Sequence, residues 1–164
     1  MTQIKLKGNP INTSGELPKV GTKAPDFKLV KNDLSETSLS SYGGKKKVLN
    51  IFPSLDTAVC ALSVKRFNKE AASLPNTVVL NISADLPFAQ KRFCGAEGIT
   101  NAETMSTFRS GFAKDYGLQI SDGPLAGLCS RVVLVLDEKN IVKYAQQVPE
   151  ITEEPDYQKA ISAI

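Results

Sequence analysis

Three short apolar runs, at residues 48–52, 77–83 and 132–136, are rich in valine, isoleucine and leucine and are bounded by polar or turn-forming segments. Runs of that length and composition predict strands buried on both faces. Residues 141–148 follow the last run after Asp137-Glu138-Lys139-Asn140, a turn of hairpin length, and are expected to pair back on it. Near the amino terminus, residues 2–16 alternate on either side of Gly8-Asn9-Pro10 and predict a small β-hairpin. A loop through Val20 then leads to a short strand expected at 26–30.

Between these runs the period changes. Apolar side chains at Cys60, Val64, Phe67, Ala71 and Leu74 have the spacing of one helix face. A helix joining 48–52 to 77–83 by short connections requires a right-handed crossover, so these two strands are expected to be parallel. A second helix is predicted to start near Asp85 and Pro87 and to stop at Gly95, with Cys94 in its last turn or just beyond. Phe108, Phe112 and Tyr116, four apart, predict a third helix over 106–116. Tyr157, Ala160, Ile161 and Ile164 after Pro155 predict a fourth. The order of elements gives one α/β domain over residues 1–164, with a central mixed sheet flanked by helices and an N-terminal hairpin.

Composition narrows the chemistry. A chain of 164 residues with 41% hydrophobic and 23% charged residues can bury a core and is neither disordered nor a disulfide-stapled miniprotein. The net charge of +3 is too small to imply a nucleic-acid partner or an anionic membrane surface. Lys45-Lys46-Lys47 follows Gly43-Gly44 and is read as a solvated turn. No run reaches the roughly 18 apolar residues of a membrane helix, and the amino terminus lacks the apolar stretch of a signal peptide, so a cytoplasmic protein is expected. The absence of histidine removes Ser-His-Asp triads, Cys-His pairs and histidine-ligated metals. Cys60, Cys94 and Cys129 are too far apart for a metal finger.

The cysteines therefore carry the candidate chemistry. With Asp56 or Thr57 as N-cap, Cys60 falls in the first helical turn, where free N–H groups and the macrodipole favour a thiolate. A buried inert thiol is the competing reading, since free cysteine is often core. Cys94, near a helix end, sits where carbonyls disfavour added negative charge. One thiol poised to attack and one held protonated is the asymmetry of a nucleophile and a resolving partner.

Phe52-Pro53-Ser54-Leu55-Asp56-Thr57-Ala58-Val59-Cys60 resembles the active-site loop of the bacterial thiol peroxidases, the atypical two-cysteine peroxiredoxins. The segment from Ser83 through Asp85-Leu86-Pro87-Phe88 to Cys94-Gly95-Ala96-Glu97-Gly98 resembles the same family's resolving region. The likeness extends over nearly the whole chain, including Gly8-Asn9-Pro10-Ile11, Asp122 to Leu128 and Glu153 to Tyr157. It implies a thioredoxin-like fold and reduction of hydrogen peroxide or organic hydroperoxides. It also implies that Cys60 becomes a sulfenic acid, that Cys94 attacks it to give an intramolecular disulfide, and that thioredoxin reduces that bridge. By the same likeness Thr57 contacts thiolate and peroxide, Arg131 is the active-site arginine and Pro53 shields the pocket. A homodimer with no metal, haem or flavin is the family pattern. The resemblance assigns no role to Cys129, which is either inert core or a rival resolving thiol.

For any thiol, a fall in pKa from about 8.5 to about 6 raises the thiolate fraction at pH 7 from ~3% to ~90%. A Brønsted slope of ~0.45 then takes back about tenfold in nucleophilicity. A large acceleration must therefore come from aligning the O–O bond and stabilising the departing oxygen, tasks suited to Arg131 and Thr57. Two other readings remain at this stage. A disulfide reductase normally has a second thiol close behind the first, and none follows Cys60 through Val64. A stoichiometric peroxide sensor would share the same residues and differ only in turnover.

Overall fold

The computed structural model describes residues 1–71, 73–99 and 103–164. The three apolar runs become β5 (Lys46–Ile51), β6 (Thr77–Ser83) and β8 (Val132–Leu136), adjacent strands at the centre of a seven-stranded sheet. Their partners are β3 (Lys28–Lys31), β4 (Glu36–Ser38), β7 (Glu103–Ser106) and β9 (Val142–Gln147), in the order β4-β3-β7-β6-β5-β8-β9. β5, β6 and β7 run parallel, and the β3/β4, β3/β7, β5/β8 and β8/β9 pairs are antiparallel. The mixed sheet, the parallel β5/β6 pair and the β8/β9 hairpin agree with the sequence reading. So does the N-terminal hairpin of β1 (Gln3–Leu6) and β2 (Asn9–Asn12).

Strand alternation divides the core. Leu49, Ile51, Leu80, Ile82 and Leu134 pack on one face against Phe27, Phe112 and Tyr116, whose rings meet edge-on or tilted with centroids 4.4 to 6.2 Å apart. Val48, Val79, Val133 and Val135 cover the other face beneath α1 (Ala58–Glu70) and α4 (Tyr157–Ser162). Cys60, Ser63, Val64 and Phe67 are the buried stripe of α1, and Phe67 meets the Tyr157 ring edge-on at 5.2 Å. Burying a ring of that size contributes about 2–3 kcal/mol. The other α-helices among the described residues are α2 (Pro87–Glu97) and the single-turn α3 (Phe112–Asp115).

Four expectations are corrected. Residues 106–116 are not one helix: Ser106 ends β7, where it pairs with both Ser83 and Val30, and only Phe112–Asp115 coils. Phe108 consequently lies 46% exposed while Phe112 and Tyr116 are core. The second helix runs past Gly95 and stops at Gly98, whose φ of 66° is the left-handed cap conformation that glycine adopts freely. The lysine run is not a turn. Lys46 and Lys47 open β5, and the Lys47 ammonium donates to Asn140 Oδ1 and, at 3.4 Å, to the Asp137 carbonyl, its pKa lowered mainly by burial. The strand expected at 26–30 is Lys28–Lys31; Asp26 lies ahead of it, its Oδ1 accepting from the backbone N–H of Phe27 (2.8 Å) and Leu39 (3.0 Å).

Candidate active site

The polypeptide leaves β5 at Ile51, crosses Phe52 to Asp56 and turns into α1 at the C-terminal end of the parallel strands, the end where open α/β sheets place their sites. Thr57 is the N-cap. Its backbone is extended, and its Oγ1 accepts from Cys60 N–H at 3.3 Å and donates to the Ser54 carbonyl at 3.1 Å. Cys60 is thus the third residue of α1, inside the first turn, with its backbone N–H taken by the cap. It is fully buried, in a small cluster with Phe52, Leu55, Val64 and Ile99. Pro53 is buried at the start of the loop.

Cys94 packs against that same cluster, together with Phe93. All three cysteines are free thiols. The Cys94 carbonyl accepts from Gly98 N–H and, at 3.0 Å, from Ile99 N–H, which places it in the closing turn of α2. Its Sγ lies 3.8 Å from Thr104 Oγ1, whose own proton goes to Asn32 Oδ1 at 2.6 Å. Thr104 therefore offers Cys94 a lone pair, and the S–H is the donor.

Arg131 is 3% exposed, directly before β8. The β5/β8 register pairs Ile51 with Val132, and extending that ladder by one residue sets Arg131 opposite Phe52. Alternation from Val133 points it to the α1 face of the sheet. Its Nε donates to the Ile151 carbonyl at 2.8 Å, and its Nη1 is buried with no partner among the described residues. A surface charge at a strand edge is not what this residue is.

Cys129 belongs to the other face, within the core that holds Leu49 and Tyr116. Burial pushes its thiol up to about 12, with the Thr107 hydrogen bond pulling down and the Asp85 charge adding to the rise. Because the unfolded thiol ionises near 9.0, the unfolded chain alone releases this proton between pH 9 and 12. Stability is therefore complete below about pH 9 and falls above it by about 1.4 kcal/mol per pH unit until the folded thiol also ionises. Denaturant midpoints of Cys129→Ala are expected to decline less steeply than wild type across this window; equal slopes would place the alkaline loss elsewhere.

Sequence reasoning missed two polar networks beneath the cysteines. Ser63 Oγ donates to the Cys60 carbonyl (2.8 Å), Asn50 Nδ2 donates to Ser63 Oγ (3.3 Å) and to Asn81 Oδ1 (2.9 Å), and Asn81 Nδ2 donates to the Glu103 carbonyl (3.2 Å). The signal was present, since asparagine in the middle of two buried strands demands partners. The second network centres on Asp85, which accepts from Ser54 Oγ (2.7 Å), Leu55 N–H (2.8 Å) and Ser83 Oγ (2.6 Å).

Among the described residues, no cluster of His, Cys, Asp or Glu could hold a metal ion, and no helix is long and apolar enough to cross a membrane. A surface cleft of about 430 Å³ lined by Asp26, Phe27, Glu36 and Arg109 shares no residue with the cysteine cluster.

The Redoxin family profile matches residues 19–161. A thiol peroxidase of Leptospira interrogans is 54% identical over 99% of this chain and 97% of its own length. The crystal structure of a peroxiredoxin-like protein from Aquifex aeolicus superposes with a TM-score of 0.94 at 40% identity, covering 99% of this chain and 95% of that one. A thiol peroxidase from Chromobacterium violaceum shares the fold with a TM-score of 0.87 at 24% identity, covering 96% and 91%.

Proposed function

The chain belongs to the redoxin family, among its thiol peroxidases, and from that premise we propose that it reduces hydrogen peroxide and organic hydroperoxides through Cys60 and Cys94 at the expense of thioredoxin. One observation carries the reading. Cys60 in the first turn of α1 and Cys94 in the last turn of α2 share a single apolar cluster.

In the first step the Cys60 sulfur lone pair attacks the outer oxygen of the hydroperoxide. The O–O bond breaks, the departing oxygen takes a proton to leave as water or alcohol, and Cys60 becomes a sulfenic acid. Arg131 supplies a fixed guanidinium whose Nη1 is left over after Nε has bonded Ile151, and it stabilises the charge developing on the departing oxygen. Thr57 can accept from the peroxide while its position at the cap ties that contact to the Cys60 backbone. Pro53 walls the loop. In the second step Cys94 attacks the Cys60 sulfur, the S–O bond breaks, and hydroxide leaves with the Cys94 proton as water. A thioredoxin dithiol then exchanges through a mixed disulfide and leaves oxidised, restoring both thiols.

Leu86 and Phe88 at the start of α2 and Phe108 just past β7 expose apolar side chains at this end of the sheet, which supports acceptance of alkyl hydroperoxides. Phe93, by contrast, packs against the cysteine cluster. The cytoplasm, where thioredoxin is kept reduced, and a homodimeric state complete the reading.

Non-reducing peptide mapping after one equivalent of peroxide tests it. A Cys60–Cys94 bridge is expected, and many turnovers per chain with thioredoxin present. A dominant Cys60–Cys129 bridge would overturn the resolving assignment, and consumption that stops after one equivalent would mark a sensor instead.

A further inference from the structure

We propose that Asp85 is a positioning residue that clamps the peroxidatic loop to the base of the resolving helix, favouring attack on peroxide and opposing closure of the disulfide. The inference rests on the Cys60–Cys94 cycle proposed above. Asp85 lies one residue before Leu86, the N-cap of α2, which makes no side-chain cap bond. The Asp85 carboxylate turns instead to the loop some thirty residues earlier, taking Ser54 Oγ–H at 2.7 Å and Leu55 N–H at 2.8 Å.

The chain of hydrogen bonds extends both ways. Toward α2, Ser83 Oγ donates to Asp85 (2.6 Å) and itself accepts from Gln90 Nε2 (3.2 Å), on the helix one turn before Cys94. Ser83 and Gln90 are fully buried. Toward α1, the Ser54 carbonyl accepts from Thr57 N–H (3.2 Å) and Thr57 Oγ1 (3.1 Å), and Thr57 Oγ1 accepts from Cys60 N–H (3.3 Å). A continuous line of polar contacts thus connects the Cys60 amide to the body of α2 through one carboxylate. Two further links join the same segments, Arg92–Asp56 at 3.6 Å and Lys65–Glu97 at 2.8 Å. Both are solvent-exposed pairs of the kind that contributes little. The Asp85 contacts are half-buried and charge-assisted, and they dominate.

The two chemical steps make opposite demands on this clamp. Peroxide reduction needs Thr57 and Cys60 held in one geometry. Disulfide closure needs Cα atoms within about 4.4–6.8 Å, and two thiols inside separate intact helices rarely reach that, so the first turn of α1 or the last turn of α2 must open. Weakening the clamp slows the first step and speeds the second.

Asp85→Asn and the milder Ser54→Ala, which keeps the Ser54 carbonyl for Thr57, test this in single-turnover experiments. Peroxide loss reports the first step, and rapid alkylation quench with intact-mass analysis reports disulfide closure. Asp85→Asn is expected to lower the first rate constant by about tenfold, the scale of one charge-assisted hydrogen bond, and to raise the second by a similar factor. Ser54→Ala should move both in the same senses by less. If both constants fall together, as for a merely structural residue, or if neither moves, the clamp is overturned. The wild-type arm stands apart: failure to form a Cys60–Cys94 disulfide there would remove the cycle itself, whatever the variants do.

Discussion

Arg131→Lys is expected to slow peroxide reduction by about a hundredfold to a thousandfold while the chain remains folded, the range seen when one preorganised donor is lost from a charge-stabilising site. Charge is conserved in this variant, so the effect isolates geometry. The guanidinium has five donors in a rigid plane, and here Nε is fixed by the Ile151 carbonyl at 2.8 Å while Nη1, buried, has no protein partner among the described residues. A lysine ammonium that satisfies Ile151 is a single flexible point charge with no second arm held at a set angle. Its longer search also costs side-chain entropy at the moment of reaction. Single-turnover peroxide consumption measures the loss, and the thermal unfolding midpoint serves as control. A near-wild-type rate would remove Arg131 from the chemistry and reduce it to a brace for residue 151.

The ease of reading this chain followed the range of the interactions that fix each part. β5, β6 and β8 were legible because a strand buried on both faces must be apolar throughout, whatever its neighbours are. β7 was not. Glu103-Thr104-Met105-Ser106 has no run and little alternation, and it is a strand because β6 and β3 offer it ladders on either side. The phenylalanine stripe misled for the same reason: Phe112 and Tyr116 share a short coil, but Phe108 precedes it in a turn. In the site, the cap at Thr57 and the first-turn position of Cys60 are local and were readable from a handful of residues. That Cys94 joins the Cys60 cluster is a long-range fact, implied only by resemblance until the packing was seen. Asp85 is the clearest case of what sequence conceals. It looks like an ordinary residue ahead of a helix, and its partners lie some thirty positions away.

Cys94→Ser is expected to separate the two halves of the cycle more sharply than any other change. The first equivalent of peroxide should be consumed within about twofold of the wild-type rate, because no hydrogen bond among the described residues links Cys94 to Thr57 or Arg131 and serine preserves a donor to Thr104. Steady-state turnover with thioredoxin should fall by about a hundredfold. A tethered resolving thiol acts at an effective concentration in the millimolar range, whereas a soluble dithiol at ~10 µM must find the sulfenic acid by collision. That sulfenic acid is also enclosed, since Cys60 has no exposed surface in the resting fold. The unresolved species should therefore persist and accumulate sulfinic acid under excess peroxide, visible by mass as oxidation confined to Cys60. Amide exchange supplies the matching structural readout. In the oxidised wild type, residues 56–62 and 90–98 should lose protection as the two cysteine-bearing turns open, and in peroxide-treated Cys94→Ser they should stay protected. Turnover that survives in this variant at the wild-type level would show that Cys94 is not the resolving thiol, and protection that remains in both stretches of the oxidised wild type would show that the two sulfurs meet without unwinding.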